Sequence, residues 1–236
     1  MSTLPLVLLP GTLCDERLWE AIKPHLPPEL ELICPRYNQG ETMSGVVANL
    51  LADLPPRFAL AGFSLGGLAA LELISQAPGS VDRLALISSH AYADSREAEQ
   101  LRLQQLQQAY EQGLESLVSS TFIPTGLTAS HPGFSASASL LRKMASDSKL
   151  TDFDRQIGMA ITRDDRHRAL AAFTQPTLIM AGSEDKMCTR DKPLSAFGAK
   201  QDARLVWIEN AGHYLPLEQP LSVAQELCIW LEEGQA

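Results

Sequence analysis

The sequence is short of basic residues and of cysteine and has no long apolar run, and each shortage removes a class of function. Lysine and arginine total 19 against 28 aspartates and glutamates, a formal charge of −9. Such an excess of negative charge repels phosphate backbones and anionic lipid, so neither nucleic acid nor a membrane is an expected partner. The basic groups that occur are short, as in Arg163 to Arg168, which Asp164 and Asp165 interrupt. That group reads as solvated surface. The four cysteines, Cys14, Cys34, Cys188 and Cys228, form no Cys-x-x-Cys pair and no cysteine–histidine spacing suited to zinc. No disulfide framework and no metal site is expected, and reduced thiols fit a cytoplasmic location. Met1 to Pro10 has no basic leader, and its short apolar stretch is cut by Pro5, which reads as a first strand rather than a signal peptide or anchor. No internal repeat, low-complexity tract or interdomain linker is visible.

What is present suits one globular domain spanning residues 1–236: 45% of residues are hydrophobic and 20% charged, a composition able to bury a core. Short apolar runs bounded by turn residues recur at Leu4 to Leu9, Leu30 to Cys34, Phe58 to Gly62, Leu84 to Ser88, Thr177 to Ala181 and Leu205 to Ile208. Their apolarity is continuous rather than alternating, which predicts strands covered on both faces. Helical patterns separate them, for example Gly45 to Leu54 and Leu65 to Gln76, the latter stopped by Pro78 and Gly79. Strand and helix alternate, so the expected class is α/β, a doubly wound, mostly parallel six-stranded sheet with ligands beyond the carboxyl ends of its strands.

One interval breaks the alternation. Ser89 to Pro176 is far longer than a single crossover needs and predicts an inserted helical cap at about residues 92–165. Leu103, Leu106, Tyr110, Leu114 and Leu117 recur in it at helical spacing, as do Phe153, Ile157 and Ile161. These stripes predict amphipathic helices that pack on one another and roof a pocket. Phe122, Ile123, Phe134 and Met144 point to an apolar pocket or to the core of the cap.

The segment that carries chemistry is Gly62-Phe63-Ser64-Leu65-Gly66, a G-x-S-x-G that follows a strand and opens a helix. A serine at such a turn takes a strained backbone, and the turn closes only where side chains two residues either side are nearly absent. Ser64 is the candidate nucleophile. The Leu65 amide, at the start of the helix, points where a substrate oxyanion forms.

With this segment the sequence resembles the α/β-hydrolase superfamily, specifically its small bacterial members with a helical cap over a Ser-Asp-His site, and the resemblance covers nearly the whole chain. In that family the acid follows a later strand and the histidine the last one. Thr177 to Asp185 has the form of an apolar strand followed by Gly-x-x-Asp, which implies Asp185 as the acid, with Glu184 a neighbouring rival. Leu205 to Pro220, containing Asn210-Ala211-Gly212-His213-Tyr214, matches the family's histidine loop and implies His213 as the general base. Of the other histidines, His25, His131 and His167 look peripheral, while His90 ends a strand and is a candidate pocket residue. Where relatives carry His-Gly, this chain has Pro10-Gly11. The motif places the second oxyanion donor at the Thr12 amide, with Leu13 as the alternative. The resemblance further implies that the first and third strands lie side by side and that the family's eight strands are trimmed to six.

The activity implied is that of a serine hydrolase. Ser64 attacks a carbonyl, His213 takes its proton, Leu65 and Thr12 hold the oxyanion, and water releases the acyl group. The substrate class is a small-molecule ester, thioester or related acyl compound, and no cofactor or metal is called for. Cys14 and Cys188 fall near the mouth of this site and are assigned no catalytic part. Two alternatives stand beside it. One is a lyase or carbon–carbon bond hydrolase on the same triad, for which Arg102, Arg142 or Arg155 of the cap would bind a substrate carboxylate. The other is a ligand-binding member of the fold without turnover.

Overall fold

The computed structural model describes residues 4–233; the sequence expectations for residues 1–3 and 234–236 lie outside the described residues. Six strands form one sheet, β1 (Leu6–Leu9), β2 (Leu32–Ile33), β3 (Phe58–Phe63), β4 (Val81–Ile87), β5 (Thr177–Gly182) and β6 (Arg204–Ile208), in the order β2-β1-β3-β4-β5-β6. Every pairing is parallel, and β1 lies beside β3 with Leu9 opposite Gly62. The order reverses between β1 and β3, the switch point where a doubly wound sheet opens a crevice.

The unbroken apolarity of the strands follows from burial on both sides. Leu6, Leu8, Ala59, Ala61 and Phe63 face one core, with Trp19 and Trp230, while Val7, Leu9, Leu60, Leu84 and Leu86 face another. The second core is closed by α1 (Met43–Asp53) and α2 (Leu65–Gln76). β1, β3 and β5 are wholly buried, whereas the edge strands β2 and β6 are largely half-exposed.

β4 begins three residues before the expected Leu84, because Asp82 and Arg83 interrupt the apolar run without ending the strand. Arg83 is buried, and its Nη1 donates to the carbonyls of Trp230 and Leu231 at 2.7 and 2.6 Å. Those carbonyls belong to the end of the last helix, whose unpaired acceptors and negative dipole end suit a cation.

The long interval between β4 and β5 is a helical insertion, as the sequence predicts. It holds α3 (Arg96–Gln112), α4 (Leu114–Leu117), a wide turn over Val118–Phe122, α5 (Ile123–Gly126), α6 (Phe134–Asp147), α7 (Leu150–Thr162) and α8 (His167–Ala172). The chain continues through α9 (Asp191–Ala199), α10 (Leu215–Glu218) and α11 (Pro220–Glu232). One expected stripe is corrected. Leu103 and Tyr110 are 54% and 55% exposed, while Leu114 and Leu117 are buried. α3 buries Ala109 instead, and the chain bends at Gly113 (φ +86°), so the stripe does not run on one face. Ile123 and Met144 belong to the buried core.

The expectation that Arg163 to Arg168 is solvated surface is also corrected. Arg163 is buried against Asp94, and Arg166 pairs with the buried Glu72. Each guanidinium compensates a carboxylate that burial would otherwise leave unpaired. Among the described residues no helix is long and apolar enough to cross a membrane.

Replacing Leu117 by alanine is expected to cost about 2–5 kcal/mol, since it empties a core position. Leu103→Ser should change stability by less than about 0.5 kcal/mol. Urea unfolding of the two variants checks this face assignment.

Candidate active site

The turn between β3 and α2 is built by backbone meeting backbone. Ser64 has φ +52° and ψ −115°, a region L residues rarely occupy. A Cβ on Gly62 would strike the Gly66 carbonyl, and one on Gly66 would strike the Leu9 carbonyl of β1. The turn is pinned on its other side as well: the Ser64 amide donates to Ile87 O at 2.9 Å, and Ser89 Oγ donates to Ser64 O at 2.9 Å. Ser64 is thus held half-exposed at the head of α2, facing a cavity.

His213 arrives from the loop after β6. It is 4% exposed, and its backbone is fixed at both ends. Its N–H donates to Gly126 O at 2.7 Å, and its carbonyl accepts from Ser88 Oγ at 2.9 Å. The ring stands between two partners, Nε2 at 2.9 Å from Ser64 Oγ and Nδ1 at 2.9 Å from Asp185 Oδ2. Phe63 and Tyr214 pack their rings on it at 5.1 and 5.5 Å. Both contacts restrict its rotation.

Asp185 is buried after β5. Burial alone pushes its carboxyl up. The charge and hydrogen bond of His213, with the Cys188 and Met187 amides at 2.8 Å on Oδ1, outweigh that and hold it below the ordinary carboxylate value. The carboxylate is therefore ionised at neutral pH. Glu184, the rival, is exposed.

Three residues scattered through the chain, 64, 185 and 213, are thus in one hydrogen-bonded row. Thr12 lines the same cavity. Leu13 does not. It is buried with φ +54°, and its amide donates to Gln156 Oε1 of α7 at 3.0 Å. Neither the Thr12 nor the Leu65 amide has a hydrogen-bond acceptor among the described residues.

The cavity measures about 700 Å³, with Phe63, Leu68, Phe122, Ile157 and Tyr214 on its apolar walls. His90 lines it, whereas His131 holds the Gly133 amide and His167 lies between Asp165 and Ser195. Of the three cap arginines considered, Arg102 lines the cavity and Arg155 forms an exposed pair with Asp152 at 3.2 Å. Arg142 and Phe134 are not among the lining residues. Burial pushes the thiols of Cys14 and Cys188 up, away from the reactive thiolate form. Among the described residues no group of three or more His, Cys, Asp or Glu side chains is arranged to hold a metal ion.

Against known proteins, the sequence matches the alpha/beta hydrolase family over residues 6–226. The chain belongs to that family. Among curated relatives of this α/β hydrolase is the pimeloyl-(acyl-carrier protein) methyl ester esterase of Legionella pneumophila (strain Corby), 38% identical over 91 residues. The matched segment is 36% of this chain and 38% of that protein. The protein of the same name from Aromatoleum aromaticum is 35% identical over 96 residues, 38% of each chain. The chain thus spans well under half the length of the curated relatives it matches. Similar solved structures include a thermophilic esterase from Thermogutta terrifontis, with TM-score 0.87 and 24% identity over 98% of this chain and 90% of that one. Another is the enol-lactonase of Burkholderia xenovorans, with TM-score 0.85 and 19% identity over 98% of this chain and 92% of that one. At these identities the likeness is one of fold.

One structural residue escaped the sequence. Glu218 is buried, and its two oxygens accept the Thr128 amide at 2.7 Å and the Gly212 amide at 3.0 Å. The available signal was a carboxylate five residues after His213 in an otherwise apolar turn.

Glu218→Ala orphans both amides and should cost about 2–4 kcal/mol in urea unfolding; Glu218→Gln, which keeps one acceptor, should cost less. The depressed Asp185 carboxyl contributes stability that is complete above its unfolded value of about 4. That stability is lost as pH falls through the lower folded value. Asp185→Asn should therefore flatten the acid side of the stability–pH curve, read by thermal melts between about pH 2 and 6.

Proposed function

We propose that this α/β hydrolase is a serine esterase acting on small acyl esters through an acyl-enzyme. The observation that carries the proposal is the unbroken row Ser64 Oγ, His213 Nε2, His213 Nδ1, Asp185 Oδ2, with 2.9 Å at each gap. His213 Nε2 takes the hydroxyl proton as Ser64 Oγ bonds to the ester carbonyl carbon. Asp185 accepts the Nδ1–H, holds the tautomer and stabilises the imidazolium. The negative oxygen is received by the Leu65 and Thr12 amides. Thr12 is preferred to Leu13, whose amide is committed to Gln156. When the carbonyl re-forms, the alcohol leaves with the proton from His213. Water, deprotonated by the same ring, then cleaves the acyl-enzyme and restores Ser64.

Esters are favoured as substrates because the curated relatives are methyl ester esterases. The helical insertion serves as a cap over about residues 92–165 of one domain, with Thr121, Phe122, Thr125 and Ile157 among the cavity lining it supplies. The leaving group needs no activation beyond the imidazolium, so the scheme uses no metal or cofactor.

A fluorophosphonate probe is expected to label the wild type and not Ser64→Ala. With p-nitrophenyl acetate, Ser64→Ala should lower kcat by at least about 10⁴-fold and Asp185→Asn by about 10³–10⁴-fold, with KM little changed. A wild type that neither takes the probe nor turns over any acyl ester of the series acetate to octanoate would end the proposal.

A further inference from the structure

The lining of the cavity carries a charge that the esterase scheme does not use. Arg102, Arg163, Lys186 and Lys192 line it against only Asp94 and Asp191, four cations to two carboxylates, in a chain whose formal charge is −9. A positive pocket in an acidic protein focuses the field on its contents.

Within this group the roles differ. Arg163 is fully engaged: Nε donates to Tyr92 O at 2.9 Å, Nη1 to Ala160 O and Nη2 to Asp94. Asp94 is also gripped by Arg102 through Nε and Nη2. Burial raises the Asp94 carboxyl, but the hydrogen bonds of Arg163 and Arg102 more than reverse this, so it stays ionised. One carboxylate cannot neutralise two guanidinium groups. Arg102 is therefore braced in orientation while keeping unspent charge, and its Nη1 has no partner among the described residues. Lys186 is exposed at the cavity and likewise without a partner among the described residues. The field registers on His90, whose imidazole is pushed down to about 3 by burial and then by Arg163, Lys192 and Arg102. It is neutral at physiological pH and adds no positive charge of its own.

We propose that Arg102, braced by Asp94 and Arg163 and assisted by Lys186, forms an anion subsite that selects esters carrying a carboxylate at their non-reacting end, such as half-esters of dicarboxylic acids. The subsite rests on the esterase reading for its place in catalysis, but not for its binding of a carboxylate. A braced guanidinium offers two parallel N–H donors to a carboxylate, and the apolar walls suit the methylene chain between the two ends.

The test compares kcat/KM for monomethyl esters of the dicarboxylic acids succinate to suberate with methyl esters of monocarboxylic acids of equal length. The half-esters should be favoured by about 10- to 100-fold at the best length, mainly through KM, and less so as salt rises. Arg102→Gln, which retains a donor toward Asp94, should bring the ratio to within about threefold of unity. Lys186→Gln, an exposed change that does not threaten folding, should lower it by a smaller factor. Independently of turnover, the free dicarboxylates should raise the Tm of the wild type and not that of Arg102→Gln. Neutral esters hydrolysed as fast as half-esters, or a preference unmoved by both substitutions, would overturn the subsite and leave the esterase standing. A dicarboxylate-dependent Tm shift without hydrolysis of any ester would do the reverse, and absence of both turnover and shift would overturn the subsite.

Discussion

The site depends on a close approach of three pieces of backbone. Ser64 can hold φ +52° between β3 and α2 because Gly62, Gly66 and the end of β1 meet there with no side chain between them. A backbone of this kind costs on the order of 1–3 kcal/mol and persists only where its surroundings over-determine it. Here they do: β1 closes one side, and the hydrogen bonds from Ser64 N to Ile87 O and from Ser89 Oγ to Ser64 O close the other. The same crowding puts the first amides of α2 at the switch point of the sheet. The strained turn and the location of the cavity are two consequences of one packing constraint.

Much of this was legible in the sequence because it is written in short-range patterns. The bounds of α2 follow from an apolar run, the G-x-S-x-G turn before it and Pro78 after it, and the glycines of the turn state their own requirement. Asp185 and His213 were legible by family resemblance, each following an apolar strand in the family's order. What the sequence did not disclose depends on partners far along the chain. The choice between Thr12 and Leu13 turns on Gln156, 143 residues away from Leu13. Arg163 and Arg166 read as surface because nothing local shows that Asp94 and Glu72 are buried opposite them. Arg83 hid the start of β4 for the same reason, its partners being carbonyls at the end of α11.

These buried arginines share a physical logic. An unpaired carboxylate in the interior is costly, so each buried acid here has a donor set: Asp94 two guanidinium groups, Glu72 one, Asp185 two amides and an imidazole, Glu218 two amides. The set chosen decides the charge left over. Amides neutralise nothing, so Asp185 keeps its full negative charge beside the His213 ring. Two guanidinium groups overcompensate one carboxylate, so the Asp94 cluster ends positive. The charge left at each of these carboxylates thus comes from how it was satisfied, not from the overall charge of the chain.

The insertion is joined to the site more intimately than a cover needs to be. Gly126 O receives the His213 amide, the Thr128 amide shares Glu218 with Gly212, and Gln156 holds the Leu13 amide. Two of these ties fix the loop that carries the histidine, and the third fixes the loop that carries Thr12. Each holds a main-chain amide, one through the Gly126 carbonyl and two through the side chains of Glu218 and Gln156. A change in how the insertion packs against the sheet therefore moves His213 and Thr12 relative to Ser64, which is anchored independently by β1, β3 and β4. Since hydrogen bonds weaken steeply outside a narrow range of distance and angle, the insertion sets the alignment of the row as well as the shape of the cavity, and its sequence cannot drift freely even where it never touches a ligand.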